Sequence, residues 1–162
     1  MVDIVSPGKR SQMMAGIKGK NTKPEIAIRK ALFAQGWRYR IHDKRLPGKP
    51  DLVFSGRKAV LFVEGCYWHG HDCHLFKLPS SRTEFWANKI EGNRQRDIRV
   101  REKLQTLGWR HLTVWECALK GRTRLPFPAL IDTIVAWLES PEPVGEIEGT
   151  RHGVGGSDRL DG

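Results

Sequence analysis

Cysteine is scarce, with three among 162 residues. An odd and small number cannot close the disulfide framework of a small secreted domain. Reduced thiols that hold a metal are the better expectation. Long apolar runs are missing too: no stretch of about 18 apolar residues exists to cross a bilayer. The N-terminus lacks the apolar core of a secretory signal, so a cytosolic protein without membrane contact is expected. Acid is scarce beside base, 18 Asp and Glu against 28 Lys and Arg, for a formal net charge of +10. Residues 1–45 hold eleven Lys and Arg against Asp3, Glu25 and Asp43, whereas residues 140–162 hold five acids against Arg151 and Arg159. The basic charge therefore belongs to the folded part and favours a polyanionic partner. Charge alone does not specify nucleic acid, and specific chemistry has to supply that.

With 39% hydrophobic residues the chain can bury one compact core and reads as one domain. Residues 1–21 mix Gly8, Gly16 and Gly19 with Lys9, Arg10, Lys18 and Lys20, and read as a basic mobile arm. The folded body then runs over 22–139, and the Gly/Pro/Glu-rich stretch 140–162 reads as a disordered tail. Thr22-Lys23-Pro24-Glu25 predicts a capping box that opens a helix ending near Gly36. Trp37 to Ile41 alternates as a half-buried strand would, and Leu46-Pro47-Gly48-Lys49-Pro50 breaks it. Residues 51–54 and 59–63, joined by Ser55-Gly56-Arg57, predict a hairpin whose second strand is buried on both faces. Residues 83–107 predict one long or two consecutive helices interrupted by Gly92 and stopped by Gly108. Trp109–Trp115 predicts a last strand with Leu112 and Val114 inward, and Phe127–Leu138 a closing helix opened by Pro126 or Pro128. The order implies a mixed sheet flanked by helices, an α/β fold.

Cys66, His69, His71, Cys73 and His74 fall within nine residues, and Cys117 follows a predicted strand. Structural zinc takes four tetrahedral ligands, and Cys66-x4-His71-x-Cys73 with Cys117 supplies three thiolates and an imidazole. His69 or His74 are alternatives to His71 as the fourth ligand. Three buried free cysteines with surface histidines is the competing reading, but it does not account for so tight a gathering. A site joining distant segments would contribute folding free energy.

Pro50-Asp51 starts one strand of the hairpin and Val63-Glu64 ends the other, which brings a carboxylate to the neighbouring strand's end. Magnesium prefers hard oxygen donors, one or two carboxylates plus substrate phosphate, and there it could activate water and stabilise a leaving oxygen. A lone Asp after Pro is more often a turn residue, so the neighbours matter. Glu25 has a capping role that leaves room for a second one. Asp97 sits among Arg94, Arg96, Arg99 and Arg101, where a solvated ion pair is the plain reading. His69, in the loop after Glu64, could accept a proton from water. Tyr67, Trp68 and Trp86 place three large rings near this site. Most Trp are core residues, but rings on a stiffened loop could wedge between base pairs, at a cost of a few kcal/mol that is least at a mismatch.

Together Lys20-Asn21-Thr22-Lys23-Pro24-Glu25, Leu46-Pro47-Gly48-Lys49-Pro50-Asp51, Phe62-Val63-Glu64-Gly65-Cys66-Tyr67-Trp68-His69-Gly70-His71, Arg82-Thr83-Glu84-Phe85-Trp86 and Trp115-Glu116-Cys117 form a pattern from about Arg10 to Leu138 that resembles the very short patch repair (Vsr) endonucleases. The resemblance implies a restriction-endonuclease-like fold and a magnesium-dependent nick 5′ to the thymine of a T·G mismatch, the product of 5-methylcytosine deamination. It implies Asp51 as the metal-ligating carboxylate, with Glu25, His69 and Asp97 in support. Cys66, His71, Cys73 and Cys117 become zinc ligands, and Tyr67, Trp68 and Trp86 intercalating aromatics. The basic arm with Lys9, Arg10, Lys18 and Lys20 becomes a minor-groove segment. The acid-x-Lys element of the wider nuclease superfamily is missing, since Val63 and Gly65 occupy those places. The Val63 carbonyl could ligate magnesium instead, and Glu64 either aids the metal or ends the strand.

Two other readings stand beside the mismatch nickase: a non-catalytic zinc-stapled module that binds duplex DNA, and a nickase for another mismatch or site. A monomer is expected, because paired active sites would threaten both strands, and mismatch-repair proteins become candidate partners.

Overall fold

A computed structural model describes residues 22–150. Helix α1, Lys23–Ala34, opens as its sequence requires: Thr22 is the N-cap, its hydroxyl accepts from the Glu25 amide at 3.3 Å, and Pro24 lies in the first turn. It ends through Gln35 into Gly36, whose φ of +96° turns the chain away. Ile28, Leu32 and, unusually, Glu25 make its buried face.

Strand β1 is Arg40–Ile41, shorter than the Trp37–Ile41 segment expected from alternation. Trp37 and Tyr39 pack edge-on against Phe54 at 6.0 and 5.8 Å, and the Tyr39 hydroxyl donates to the Arg29 carbonyl at 2.8 Å. These contacts tie the segment to Phe54 and, through Tyr39, to α1 by side chains rather than by a ladder. Strand β2, Leu52–Phe54, and strand β3, Ala59–Glu64, form the expected antiparallel hairpin with Val53 opposite Val60. A 3-10 turn, Ser55–Arg57, and left-handed Lys58 close it. Helix α2, Thr83–Thr106, is one uninterrupted helix. Gly92 does not break it, because its side faces open space and the backbone ladder continues through it. Strand β4, Arg110–Trp115, runs parallel to β3, and helix α3 is Phe127–Leu138.

The tail expectation fails between 144 and 150. Strand β5, Val144–Ile147, adds to the sheet parallel to β4, with His111 opposite Val144 and Val114 opposite Ile147. Composition concealed it, since only Ile147 is both apolar and buried there. Gly145 has no side chain because a Cβ would meet the Trp137 ring at 2.6 Å. The basic arm with Lys9, Arg10, Lys18 and Lys20, and the last twelve residues, lie outside the described residues.

The result is a five-stranded mixed sheet in the order β1-β2-β3-β4-β5. On one face, Ile28 and Leu32 of α1 join Leu130, Ile131, Ile134 and Leu138 of α3 over Leu61, Leu112 and Val114. On the other, Leu104 and Val100 of α2 cover Val53, Val60 and Phe62. The expected α/β class holds. Among the described residues no helix is long and apolar enough to cross a membrane.

Candidate active site and metal cluster

Parallel pairing puts Glu64 of β3 beside Trp115 of β4, so both strands stop at one sheet edge. Two residues beyond the end of each strand stand Cys66 and Cys117, and the register has made neighbours of cysteines that are 51 positions apart. His71 and Cys73 return from the loop to complete a group whose ligand atoms all lie within 4.8 Å of one another. The His71 Nδ1 atom is 3.5 Å from Cys66 Sγ and 3.6 Å from Cys117 Sγ. A tetrahedral zinc with Zn–S of about 2.3 Å and Zn–N of about 2.0–2.1 Å would hold nitrogen and sulfur about 3.6 Å apart. The donor set and its spacing therefore fit such an ion. Of the three candidate histidines, His71 joins the thiols. His74 lies against Thr123, and His69 belongs to a different group.

The surroundings suit thiolates. Amide N–H groups of Cys117, Gly149 and Leu75 donate to the sulfurs of Cys66, Cys117 and Cys73. Burial pushes the Cys66 and Cys117 thiols upward, so they hold protons until a cation displaces them. The His71 Nε2 edge meets Glu148 Oε1 at 2.8 Å, and Trp115 stacks on the ring at 4.2 Å. Glu146 in turn accepts from Trp115 Nε1 at 2.6 Å. Glu146 and Glu148 come from β5 and its exit, the stretch read as tail, so nothing in the composition pointed to them.

Beside the cluster stand two groups of carboxylates and imidazoles. In the first, Glu25, His42 and Asp51 offer ligand atoms within 4.8 Å of one another. Asp51 Oδ2 accepts from the Val63 amide at 2.7 Å. Burial pushes the Asp51 carboxyl up to about 7; the Val63 N–H works against this, and neighbouring Glu25 and Glu64 add to it. Glu25, 1% exposed, accepts on Oε2 from Arg29 at 2.9 Å and faces His42 Nε2 at 2.6 Å. Sequence reading missed His42. Its positive φ of 46° and its amide bond to the Asp51 carbonyl turn the ring inward, and neither was visible in the residue pattern.

In the second group, His69 Nδ1 lies 2.6 Å from Asp97 Oδ2 and 3.6 Å from Glu64 Oε1. Burial opposes a charge on His69, but the bond to Asp97 and the nearby Glu64 carboxylate outweigh it and raise the ring's pKa. Asp97 is thus not merely a solvated ion-pair partner. Glu64, whose direction the sequence left open, faces His69 and accepts from Arg101 at 3.1 Å.

His69, Glu64 and Val63 line a cleft of about 1140 Å³ with Tyr67, Trp68 and the basic residues Lys89 and Arg96. The three rings form one cluster: Tyr67 to Trp68 at 5.2 Å, Tyr67 to Trp86 at 6.3 Å and Trp68 to Trp86 at 6.2 Å. All three are half-buried rather than core.

A mixed α/β sheet whose strand ends gather carboxylates, imidazoles and a thiol cluster beside a cleft that carries Lys89, Arg96 and Lys120 suits an enzyme that acts on a polyanion. Residues 2–75 match the family described as DNA mismatch endonuclease Vsr. The chain is 50% identical over 119 residues to the type II nicking enzyme V.XorIIP of Xanthomonas oryzae pv. oryzae, covering 74% of this chain and 88% of that one. It is 48% identical over 122 residues to the type II nicking enzyme V.NmeAIP of Neisseria meningitidis, covering 75% and 87%. It is 44% identical over 138 residues to the DNA mismatch endonuclease Vsr of Escherichia coli, covering 85% and 88%. The chain belongs to the Vsr family and is an endonuclease.

Proposed function

We propose that this endonuclease nicks one strand of duplex DNA 5′ to the thymine of a T·G mismatch, by magnesium-dependent hydrolysis on a restriction-endonuclease-like fold stapled by zinc. Cytoplasmic action as a monomer goes with this reading. The observation that carries it is the His69 ring, held at Nδ1 by Asp97 on the wall of the cleft whose edge also carries Val63, the backbone partner of Asp51.

The Asp51 carboxylate and the Val63 carbonyl would hold the magnesium, and Glu25 stands beside them. Bound there, the ion supplies positive charge for the scissile phosphate and the departing oxygen. The rest falls to the chain. His69 takes a proton from the attacking water, and Asp97 fixes the ring and stabilises its charged form. Lys89, Arg96 and Lys120, all on the cleft, attract the phosphate backbone. Tyr67, Trp68 and Trp86 enter the base stack, which opens most readily where pairing is already poor. The staple of Cys66, His71, Cys73 and Cys117 keeps the Tyr67–Trp68 loop stiff enough to do so. The basic arm with Lys9, Arg10, Lys18 and Lys20 reaches the adjacent groove.

The test is a nicking assay on end-labelled duplexes carrying T·G or control pairs in varied flanking sequence, with and without magnesium. Wild type should cut one strand 5′ to the mismatched thymine, and Asp51→Ala should bind the same duplex without cutting. Equal cutting of fully paired duplex would overturn the mismatch assignment, and undiminished cutting in excess chelator would overturn the magnesium.

A further inference from the structure

Arg101 lies one helical turn after Asp97 on α2, so both side chains leave the same face of the helix. Its guanidinium is largely buried, 16% exposed, and sits over a cross-strand pair of the sheet. Its carbon lies 4.1 Å above the Phe62 ring, and Nη2 donates to Thr113 Oγ1 at 2.8 Å; Phe62 and Thr113 are partners in the β3–β4 ladder. The same nitrogen donates to Glu64 Oε2 at 3.1 Å.

Burying such a pair costs several kcal/mol of desolvation, and a well-packed apolar pair usually serves a fold as well or better. The neighbourhood is already apolar, with Phe62, Val100 and Leu104 packed together. Folding alone does not explain the charge. Its geometric effect does: with Oε2 engaged, Oε1 of Glu64 stands 3.6 Å from His69 Nδ1, too far for a hydrogen bond, while Asp97 holds that nitrogen at 2.6 Å. A Glu64 released from Arg101 can rotate to compete with Asp97 for the ring, or swing toward the nearby Asp51 carboxyl.

We propose that Arg101 is a positioning residue for the hydrolysis: it pins Glu64 so that Asp97 alone holds the Nδ1 edge of His69, and the opposite edge of the ring keeps one orientation in the cleft. The role rests on the reading of His69 as the proton acceptor. Helix α2 then orients the imidazole twice, directly through Asp97 and indirectly through Arg101.

The test compares full-length, zinc-loaded wild type with Arg101→Met, Arg101→Lys and the double variant Glu64→Gln/Arg101→Met. Three quantities are read: the thermal midpoint, kcat and KM for nicking a T·G duplex, and the nitrogen-resolved NMR signals of the His69 ring without DNA. Arg101→Met should lower kcat about 10²-fold, the usual cost of a small misplacement, with KM within about twofold. It should also shift the ring signals. Arg101→Lys should recover part of the rate, because one ammonium still reaches Glu64. The double variant should regain the thermal midpoint, having no unpaired buried charge, but not kcat. Recovery of both in the double variant would make the pair purely structural and overturn the proposal, as would unchanged ring signals and kcat in Arg101→Met. Failure of wild type to cut the T·G duplex would sink the substrate reading alone, since the ring signals need no substrate.

Discussion

The Nε2 edge of His71 meets Oε1 of Glu148 at 2.8 Å, across 77 residues of sequence. A carboxylate on the far nitrogen of a metal-ligating imidazole fixes its tautomer and raises its basicity. The segment after β5 therefore supports the candidate metal cluster. Glu148→Ala should weaken zinc binding about 10–100-fold, the usual effect of losing such a partner. Competition with a chromophoric chelator measures this, and unaltered affinity would remove Glu148 from the site.

Around the thiols the packed apolar neighbours are few: Trp115 and Leu75 beside Cys66, Cys73 and Cys117. Polar bonds from Cys66 to Glu116, Trp68 to Asn93 and His71 to Glu148 tie the loop as well, but an ion would supply the link that joins Cys73 to Cys117. Removing zinc, or substituting Cys117→Ser, should lower the thermal midpoint. Hydrogen exchange should show residues 66–76 losing protection before the β2–β3 hairpin, whose Val53, Val60 and Leu61 are fully buried. Equal protection of the loop with and without metal would refute the stapling role.

Asp51 carries a carboxyl raised to about 7 from 3.8, chiefly by burial. In the unfolded chain it ionises near 3.8 and in the fold only near 7, so it costs stability progressively as pH rises between those values and nothing is lost below them. Asp51→Asn should therefore stabilise the magnesium-free protein at pH 7 but not at pH 3.5, while abolishing cutting. Magnesium held by Asp51, as proposed, would have to displace the proton, so its apparent affinity should fall by up to about tenfold per pH unit below 7. Titration of the nicking rate with magnesium at pH 6, 7 and 8 checks the sign, and a midpoint independent of pH would separate Asp51 from the ion.

His111 is 5% exposed, and among the described residues neither ring nitrogen has a hydrogen-bond partner. Burial first, then Arg101, lowers its pKa to about 4 from 6.5. The unfolded chain takes up the proton that the fold refuses, so stability is lost as pH falls from 6.5 toward 4, at about 1.4 kcal/mol per unit of difference. His111→Leu should add about 1–2 kcal/mol at pH 7 by removing the unsatisfied groups, and more at pH 5. Denaturant unfolding at the two pH values gives both figures; a destabilised variant would mean that the ring is satisfied in solution.

Much of this protein is written locally. Thr22, Pro24 and Gly36 set the bounds of α1, and the apolar run of β3 marks the sheet centre, because capping and burial on both faces act within a few residues. Asp51, His69 and the cysteine-rich loop could be singled out because their chemical types crowd a short stretch. Tertiary structure alone decided the rest. Parallel register brought Cys117 to Cys66, and α2 carried Asp97 to His69 and Arg101 to Glu64. A backbone with positive φ turned His42 toward Glu25. One buried isoleucine and a glycine beneath Trp137 made a strand from a segment whose composition reads as disorder. Such contacts join residues far apart in sequence, so their free energy depends on packing that no window of neighbouring residues contains.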